Sequence, residues 1–237
     1  MNKKIDLEEI RSKILIKLEP SGWKPIFKSF IESSDFENII LQLIRHTKDG
    51  KRFTPVLKDV FRAFEECPYN KLKVVIVGQD PYPGFEISDG IAFSCSKTGD
   101  LQPSLKYILD EVNRTVYNGE KISIDPDLTR WSNQGILMLN TALTTTIGKI
   151  GQHYQIWKPF IAYLFDYLTW YNNGLIYIYM GKEAQIWSEA VNDNNYKFMV
   201  PHPASAAYQK LQLWDSNDVF NKVNKILLTN NNEQIVW

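Results

Sequence analysis

The run Val74-Val75-Ile76-Val77-Gly78-Gln79-Asp80-Pro81-Tyr82-Pro83-Gly84 is an apolar, mostly β-branched stretch that stops abruptly on glycine and proline. Four apolar residues without polar alternation predict a strand buried on both faces, as in a parallel sheet covered by helices. Two glycines and two prolines in the next seven residues predict a rigid turn. Similar apolar runs recur at 136–139, 175–180 and 196–200. Helical patterns lie between and after them, at 104–116, 159–171, 182–191 and 215–228. This alternation predicts the α/β class: a central, mostly parallel four-stranded sheet flanked by helices on both faces. Ligands of such sheets bind at the carboxyl ends of the strands, so the informative residues are expected just after each apolar run.

Upstream, the chain reads as helical. Ile5, Leu7, Ile10, Ile14 and Leu15 recur at helical spacing, as do Phe36, Ile39, Ile40, Leu43 and Ile44, with Ser34-Asp35 as a cap for the second set. Thr54-Pro55 is expected to open a helix over 56–64, with proline in the first turn. Neither a repeat nor a linker interrupts the chain, so residues 1–237 read as one domain with a helical N-terminal part (1–67) and a motif-bearing core (68–228).

Composition narrows the function classes. Among 237 residues, Lys+Arg and Asp+Glu are both 27. This excludes binding of nucleic acid by bulk charge but leaves room for a local basic patch. Cys67 and Cys95 are the only cysteines, which excludes a disulfide scaffold and suggests a reducing, intracellular (cytoplasmic, or nuclear in a eukaryote) setting. The acidic turn of the first ten residues argues against a secretory signal. The longest apolar runs fall far short of the ~20 residues a membrane span needs.

Three positions at predicted strand ends, and one between the first two runs, carry chemistry. Asp80, pinned by Pro81, is placed to activate water or to stabilise a developing positive charge; alone, an Asp-Pro is more often a turn former bonded to its own backbone. Phe93, in Gly90-Ile91-Ala92-Phe93-Ser94, is a core residue or a stacking platform. Asn140 follows Leu137-Met138-Leu139, and its amide offers a donor and an acceptor to a complementary edge, or simply a turn. His202, between Pro201 and Pro203, is the one of three histidines (His46, His153, His202) held in a rigid frame.

Taken together, Gly78-Gln79-Asp80-Pro81-Tyr82, Leu139-Asn140 with Ala142-Leu143-Thr144, and His202-Pro203 resemble the motifs of family-1 uracil-DNA glycosylases. Gly90 to Ser94, Pro103-Ser104-Leu105 and Leu128 to Trp131 with Gln134-Gly135 fall in the same order, over about residues 68–228. The resemblance implies hydrolysis of the bond joining uracil to deoxyribose, after the nucleotide is flipped from DNA into a tight pocket. It implies that Asp80 positions water and stabilises an oxocarbenium-like sugar, and that neutral His202 bonds uracil O2. Asn140 would read N3–H and O4, and Tyr82 would exclude a C5 methyl. Phe93 would stack on the base, and the Gln79 backbone would lie near O2. No cofactor and no metal are implied. The expected partner is uracil-containing DNA, single- or double-stranded, with a protein inhibitor as a further ligand of the DNA face; a monomer with no membrane contact is expected.

This chain departs from the family pattern in three places. Pro83 stands where the family commonly has histidine, and the proline-rich loop shrinks to 98–103. Ala206 occupies about the position of the leucine that wedges into the gap left by the flipped base, which a methyl group cannot fill. Tyr208 or Leu211 is the expected substitute, or flipping depends more on the pocket; either way weaker activity on duplex than on single-stranded substrate is expected. DNA contacts are further expected from Ser104, Lys149, Lys182 and Lys210 beside the strand ends, with Gly181-Lys182 opening a helix that faces phosphate. As solvated surface lysines, the three would contribute little. The rival reading is a DNA-binding or replication accessory protein that keeps the fold with reduced catalysis. A nucleotide-binding protein of another kind is disfavoured because the chain has no phosphate-cradling glycine loop.

Overall fold

The computed structural model describes residues 6–120 and 124–237; of the sequence expectations, Ile5 lies outside them. The N-terminal part folds as α1 (Leu7–Leu18), α2 (Lys24–Ile31) and α3 (Ser34–Lys48). Ser33, rather than Ser34-Asp35, caps α3: its hydroxyl accepts the Phe36 N–H at 3.4 Å. The segment expected as a helix over 56–64 is instead a 3-10 turn at Leu57–Asp59 and a single turn α4 (Arg62–Glu65). The cause is that Thr54 is drawn into a two-residue strand, β1 (Phe53–Thr54), leaving Val56 extended (ψ 150°).

The central sheet is built from β2 (Val74–Gly78), β3 (Ile136–Asn140), β5 (Ile176–Met180) and β6 (Tyr196–Val200). All its pairings are parallel, in the order β3-β2-β5-β6. β4 (Thr145–Thr146) leaves the sheet to pair antiparallel with β1. Between and after the strands run α5 (Pro103–Thr115), α6 (Thr129–Ser132), α7 (Tyr154–Tyr171), α8 (Lys182–Gln185), α9 (Pro203–Tyr208) and α10 (Val219–Thr229).

Strand periodicity divides the core in two. Val75, Val77, Leu137, Leu139, Tyr177 and Tyr179 face α2, α3 and α7, where Phe27, Phe64 and Phe160 meet edge to face at 4.9–5.8 Å. Val74, Ile76, Ile136, Met138, Ile176 and Ile178 face α5 and α10, meeting Leu105, Ile108, Phe220 and Val223. Each such chain contributes ~1.5–3 kcal/mol by leaving water. The sheet is therefore a rigid platform with its carboxyl ends at one rim.

Two helix boundaries differ from the periodicity for visible reasons. α10 starts at Val219 because Asn217 (φ 55°) and Asp218 (φ 57°) adopt left-handed backbone. The helix expected over 182–191 is four residues of α8 continued by a 3-10 stretch, Ile186–Ala190, too short for a built phosphate site at its N-terminus. Both cysteines are buried and free. Among the described residues no helix is long and apolar enough to cross a membrane.

Candidate active site

Three strand ends converge on one hollow. β2 and β3 pair with Gly78 opposite Asn140, and the Thr141 N–H returns to the Gly78 carbonyl at 3.2 Å. Gly78 is required there by close approach: a Cβ would stand 2.7 Å from Asn140 Oδ1 and 3.1 Å from the Phe93 ring. Beyond β5, a Cβ on Gly181 would meet the Cβ of His202 at 2.8 Å and Gln79 Nε2 at 3.1 Å. These two bare positions let the side chains from β2, β3 and β6 crowd together.

Asp80 leaves the end of β2 and is held from across the site. The Gly151 N–H donates to its Oδ2 at 2.6 Å. Burial holds its pKa above the ordinary carboxylate range, while this donor favours the charged form. The carboxylate is therefore a fixed group with raised proton affinity.

His202 is the mirror case. Its Nδ1 accepts the Ala204 N–H at 3.1 Å, so in the neutral ring the proton sits on Nε2. Burial lowers its pKa to about 4, which keeps the ring neutral at ordinary pH. The ring centroid lies 5.7 Å from that of Phe93.

Phe93 has left-handed backbone (φ 65°), a conformation that a bulky residue keeps only when its surroundings impose it. Asp89, 1% exposed, supplies that restraint. Its Oδ1 accepts the Ile91 N–H at 3.1 Å, and its Oδ2 accepts the Ser94 hydroxyl at 2.6 Å and the Ser96 N–H at 3.0 Å. Arg62 neutralises it at 3.0 Å. From the hollow side, the Tyr82 hydroxyl donates to the Phe93 carbonyl at 3.1 Å.

Gln79, Asp80, Tyr82, Phe93, Asn140 and His202 line this hollow of about 190 Å³, with Ser104 and Tyr208 at its rim. That is smaller than the ~300–1,000 Å³ of drug-sized sites, and fits one flat ring better than a nucleotide. Pro81, Pro83, Ile150 and Ala204 complete the wall; their apolar side chains carry no chemical signature that sequence reading detects. A larger groove of about 460 Å³ lies between α1, α3 and the 57–61 turn, but its floor is apolar and the charges at its edge pair with one another, Lys13 with Glu9 and Lys17 with Glu65.

Lys149, Lys182 and Lys210 are exposed and do not line the hollow, though Lys149 adjoins Ile150 and Lys182 follows Gly181. Among the described residues none of the three forms an ion pair. Ala206 contradicts the expectation of a DNA contact: it is 1% exposed. Pro203 starts α9, so Ala206, three residues on, shares its buried side and packs in the core cluster of α5. Tyr208 is 78% exposed.

A histidine pair, His153 buried and His46 half-buried, escaped sequence reading. His153 is fully buried, its Nδ1 2.8 Å from Thr144 Oγ1 and its Nε2 3.2 Å from His46 Nε2. Burial, then the neighbouring His46, lowers its pKa to about 4. The pair anchors the end of the 147–152 loop from which Gly151 reaches Asp80. Only the pairing of distant segments reveals it.

Residues 64–228 match the family model described as the uracil DNA glycosylase superfamily. A uracil-DNA glycosylase of Buchnera aphidicola is 34% identical over 219 residues, covering 91% of this chain and 97% of that protein. One from Amoebophilus asiaticus is 30% identical over 223 residues, covering 94% and 99%. Among solved structures, mimivirus uracil-DNA glycosylase superposes with a TM-score of 0.83 at 26% identity, covering 99% of this chain and 90% of that one. A variant of the mimivirus protein, Y322L, solved in complex with UGI, gives the same TM-score.

NMR of the His202 ring nitrogens is expected to show the Nε2–H tautomer, taking up a proton only near pH 4. Because the folded pKa lies below the ordinary 6.5, the unfolded chain binds the proton first. This contribution to stability is complete above about 6.5 and is lost as pH falls toward about 4. Titration centred at the ordinary value, or an Nδ1–H tautomer, contradicts the assignment.

Proposed function

The chain belongs to the uracil-DNA glycosylase superfamily, and from that premise we propose how its own residues hydrolyse the N-glycosidic bond of deoxyuridine in DNA. One observation carries the proposal: Asp80, Asn140 and His202, from three strand ends, line one hollow of single-base size. A base inside a duplex cannot reach such a hollow, so the nucleotide must be turned out of the stack, and the product is the abasic site that opens base-excision repair.

Inside, the base lies against Phe93, and the Asn140 amide accepts from uracil N3–H while donating to O4. Cytosine leaves both polar groups unpaired, a penalty worth ~10⁴-fold or more in rate. Tyr82 is fixed as a wall by its bond to the Phe93 carbonyl, which supports its role of excluding a C5 methyl. The Gln79 backbone lies at the O2 edge.

In the reaction the C1′–N1 bond breaks and its electron pair leaves with uracil. The His202 Nε2–H stabilises the charge collecting on O2; the neutral ring does this without surrendering its proton. Asp80 stabilises the electron-poor sugar and accepts a proton from the water whose oxygen bonds C1′. The raised proton affinity that burial gives Asp80 suits the second task, and the Gly151 N–H fixes its direction.

The gap left in a duplex needs a plug, and Tyr208 takes that part better than Leu211. Tyr208 lines the rim and is exposed, whereas Leu211 stays outside the hollow with its carbonyl bound by the Tyr107 hydroxyl at 2.6 Å. Lys149, Lys182, Lys210 and Ser104 stand around the mouth as phosphate contacts. The UGI inhibitor complex of the mimivirus relative supports a protein ligand on the same face. The accessory-protein reading is not favoured, because a binding module has no use for a pinned carboxylate and a neutral donor imidazole in one cavity.

With a uracil-containing oligonucleotide in EDTA, Asp80→Asn is expected to slow release of uracil by about 10²–10⁴-fold and His202→Leu by about 10²–10³-fold. The rate is complete above the Asp80 pKa and falls as acid protonates it, with a midpoint above the ordinary carboxylate range. Release unaffected by either change, or a midpoint at or below ~3.9, overturns the roles. Tyr208→Ala is expected to cost more on duplex than on single-stranded substrate; equal losses on both rule out the plug.

A further inference from the structure

The turn that carries Asp80 and the loop that carries its donor are strapped together and face two hollows. The Gly148 N–H donates to the Pro83 carbonyl at 2.8 Å, and the Ile147 N–H donates to the Arg52 carbonyl at 2.9 Å. Pro83 and Ile150 line the base-sized hollow, while Phe85 and Ile147 line a separate groove of about 270 Å³ that shares no residue with it. The two residues from Pro83 to Phe85 span at most ~7 Å. With nucleotides ~3.4 Å apart along a strand's axis, a neighbour one to two positions from the flipped one reaches that far.

The groove has the chemistry of a nucleotide site. Phe85 is 52% exposed, and the Arg52 guanidinium lies 4.4 Å from its ring centroid. The pair presents a flat, cationic edge to solvent. Lys51 follows the end of α3 and Lys149 lies in the strap; both are exposed, and among the described residues neither they nor Arg52 form an ion pair. Lys51 adjoins the groove residue Arg52 in the chain, and Lys149 follows the groove residue Ile147 by two positions. Lys97, on the groove wall, is already held by Asp59 at 2.6 Å. Asp59 thus offsets Lys97, and Glu86 lies on the groove itself, leaving Arg52 with the neighbouring Lys51 and Lys149 as its unpaired cations among the described residues. Proteins that hold single strands combine a cationic track with an aromatic platform in this way.

We propose that this groove is a second nucleotide subsite, in which a base flanking the target uridine of single-stranded DNA stacks on Phe85 and Arg52 while Lys51 and Lys149 hold its phosphate. The occupant is the same substrate strand, because the groove lies one strap away from the uracil hollow and its unpaired cations complement phosphate. In duplex DNA the flanking base stays paired and stacked, so the subsite favours single strands. The inference rests on the uracil-DNA reading above.

The test is binding of two single-stranded 15-mers with a central deoxyuridine, followed by fluorescence anisotropy in the Asp80→Asn protein, which stops turnover. One oligonucleotide is ordinary; the other has abasic analogues at the two positions on each side. Removing the flanking bases is expected to weaken binding about tenfold. Adding Phe85→Ala is expected to weaken the ordinary strand by a similar factor and to leave the abasic-flanked strand unchanged. Arg52→Gln, which keeps the Phe85 ring in place, should lower the salt dependence as well. Equal responses of the Phe85→Ala protein and its parent to abasic flanks overturn the subsite. The outcome is read from binding, so it stays distinct from failure of wild-type protein to release uracil, which would strike the function itself.

Discussion

The close approach at the end of β2 and β3 is the constraint on which the site depends. Parallel pairing sets Gly78 beside Asn140, and the absent side chain lets the Asn140 amide and the Phe93 ring come within contact of the strand itself. Gly181 repeats the device after β5, under His202 and Gln79. Strands β2, β3 and β5, buried on both faces, keep these ends from shifting, because α2, α3 and α7 clamp one side and α5 and α10 the other. The hollow thus inherits its dimensions from backbone register, the least deformable feature of the fold.

Burial then divides the chemical labour. The same removal from water raises the proton affinity of Asp80 and lowers that of His202, so the acid is primed to accept and the imidazole stays neutral with its proton directed from Nε2. Local bonds set the directions: the Gly151 N–H holds the carboxylate, and the Ala204 N–H holds Nδ1. Behind them the His46–His153 contact and the Arg62–Asp89 pair brace the loops that carry Gly151 and Phe93.

What was legible in the sequence was whatever local pattern determines. Short apolar runs marked the sheet strands, though β6, with Lys197 and the exposed Tyr196 and Met199, is an edge strand and not buried on both faces as the run over 196–200 suggested. Because parallel sheets gather their ligands at carboxyl ends, Asp80, Asn140 and His202 stood out there. The helical turn at Ala206 shows the limit. Its likeness to a family position implied a DNA contact, yet α9 turns that residue inward and leaves Tyr208 outside. The expected helix over 56–64 failed because Thr54 pairs with Thr145, some ninety positions away. The Gly151–Asp80 bond and the histidine pair were invisible for the same reason: each joins segments 71 and 107 residues apart, and nothing at either end announces the other.

The most direct test of this account is the rate of uracil release by Gly78→Ala protein whose fold is verified by circular dichroism. The added methyl must push the Asn140 amide or the Phe93 ring from its place, and a displacement near 1 Å costs on the order of 10²-fold in rate. A folded variant slowed to that degree agrees with a pocket set by strand register. A folded variant releasing uracil at the parent rate contradicts it.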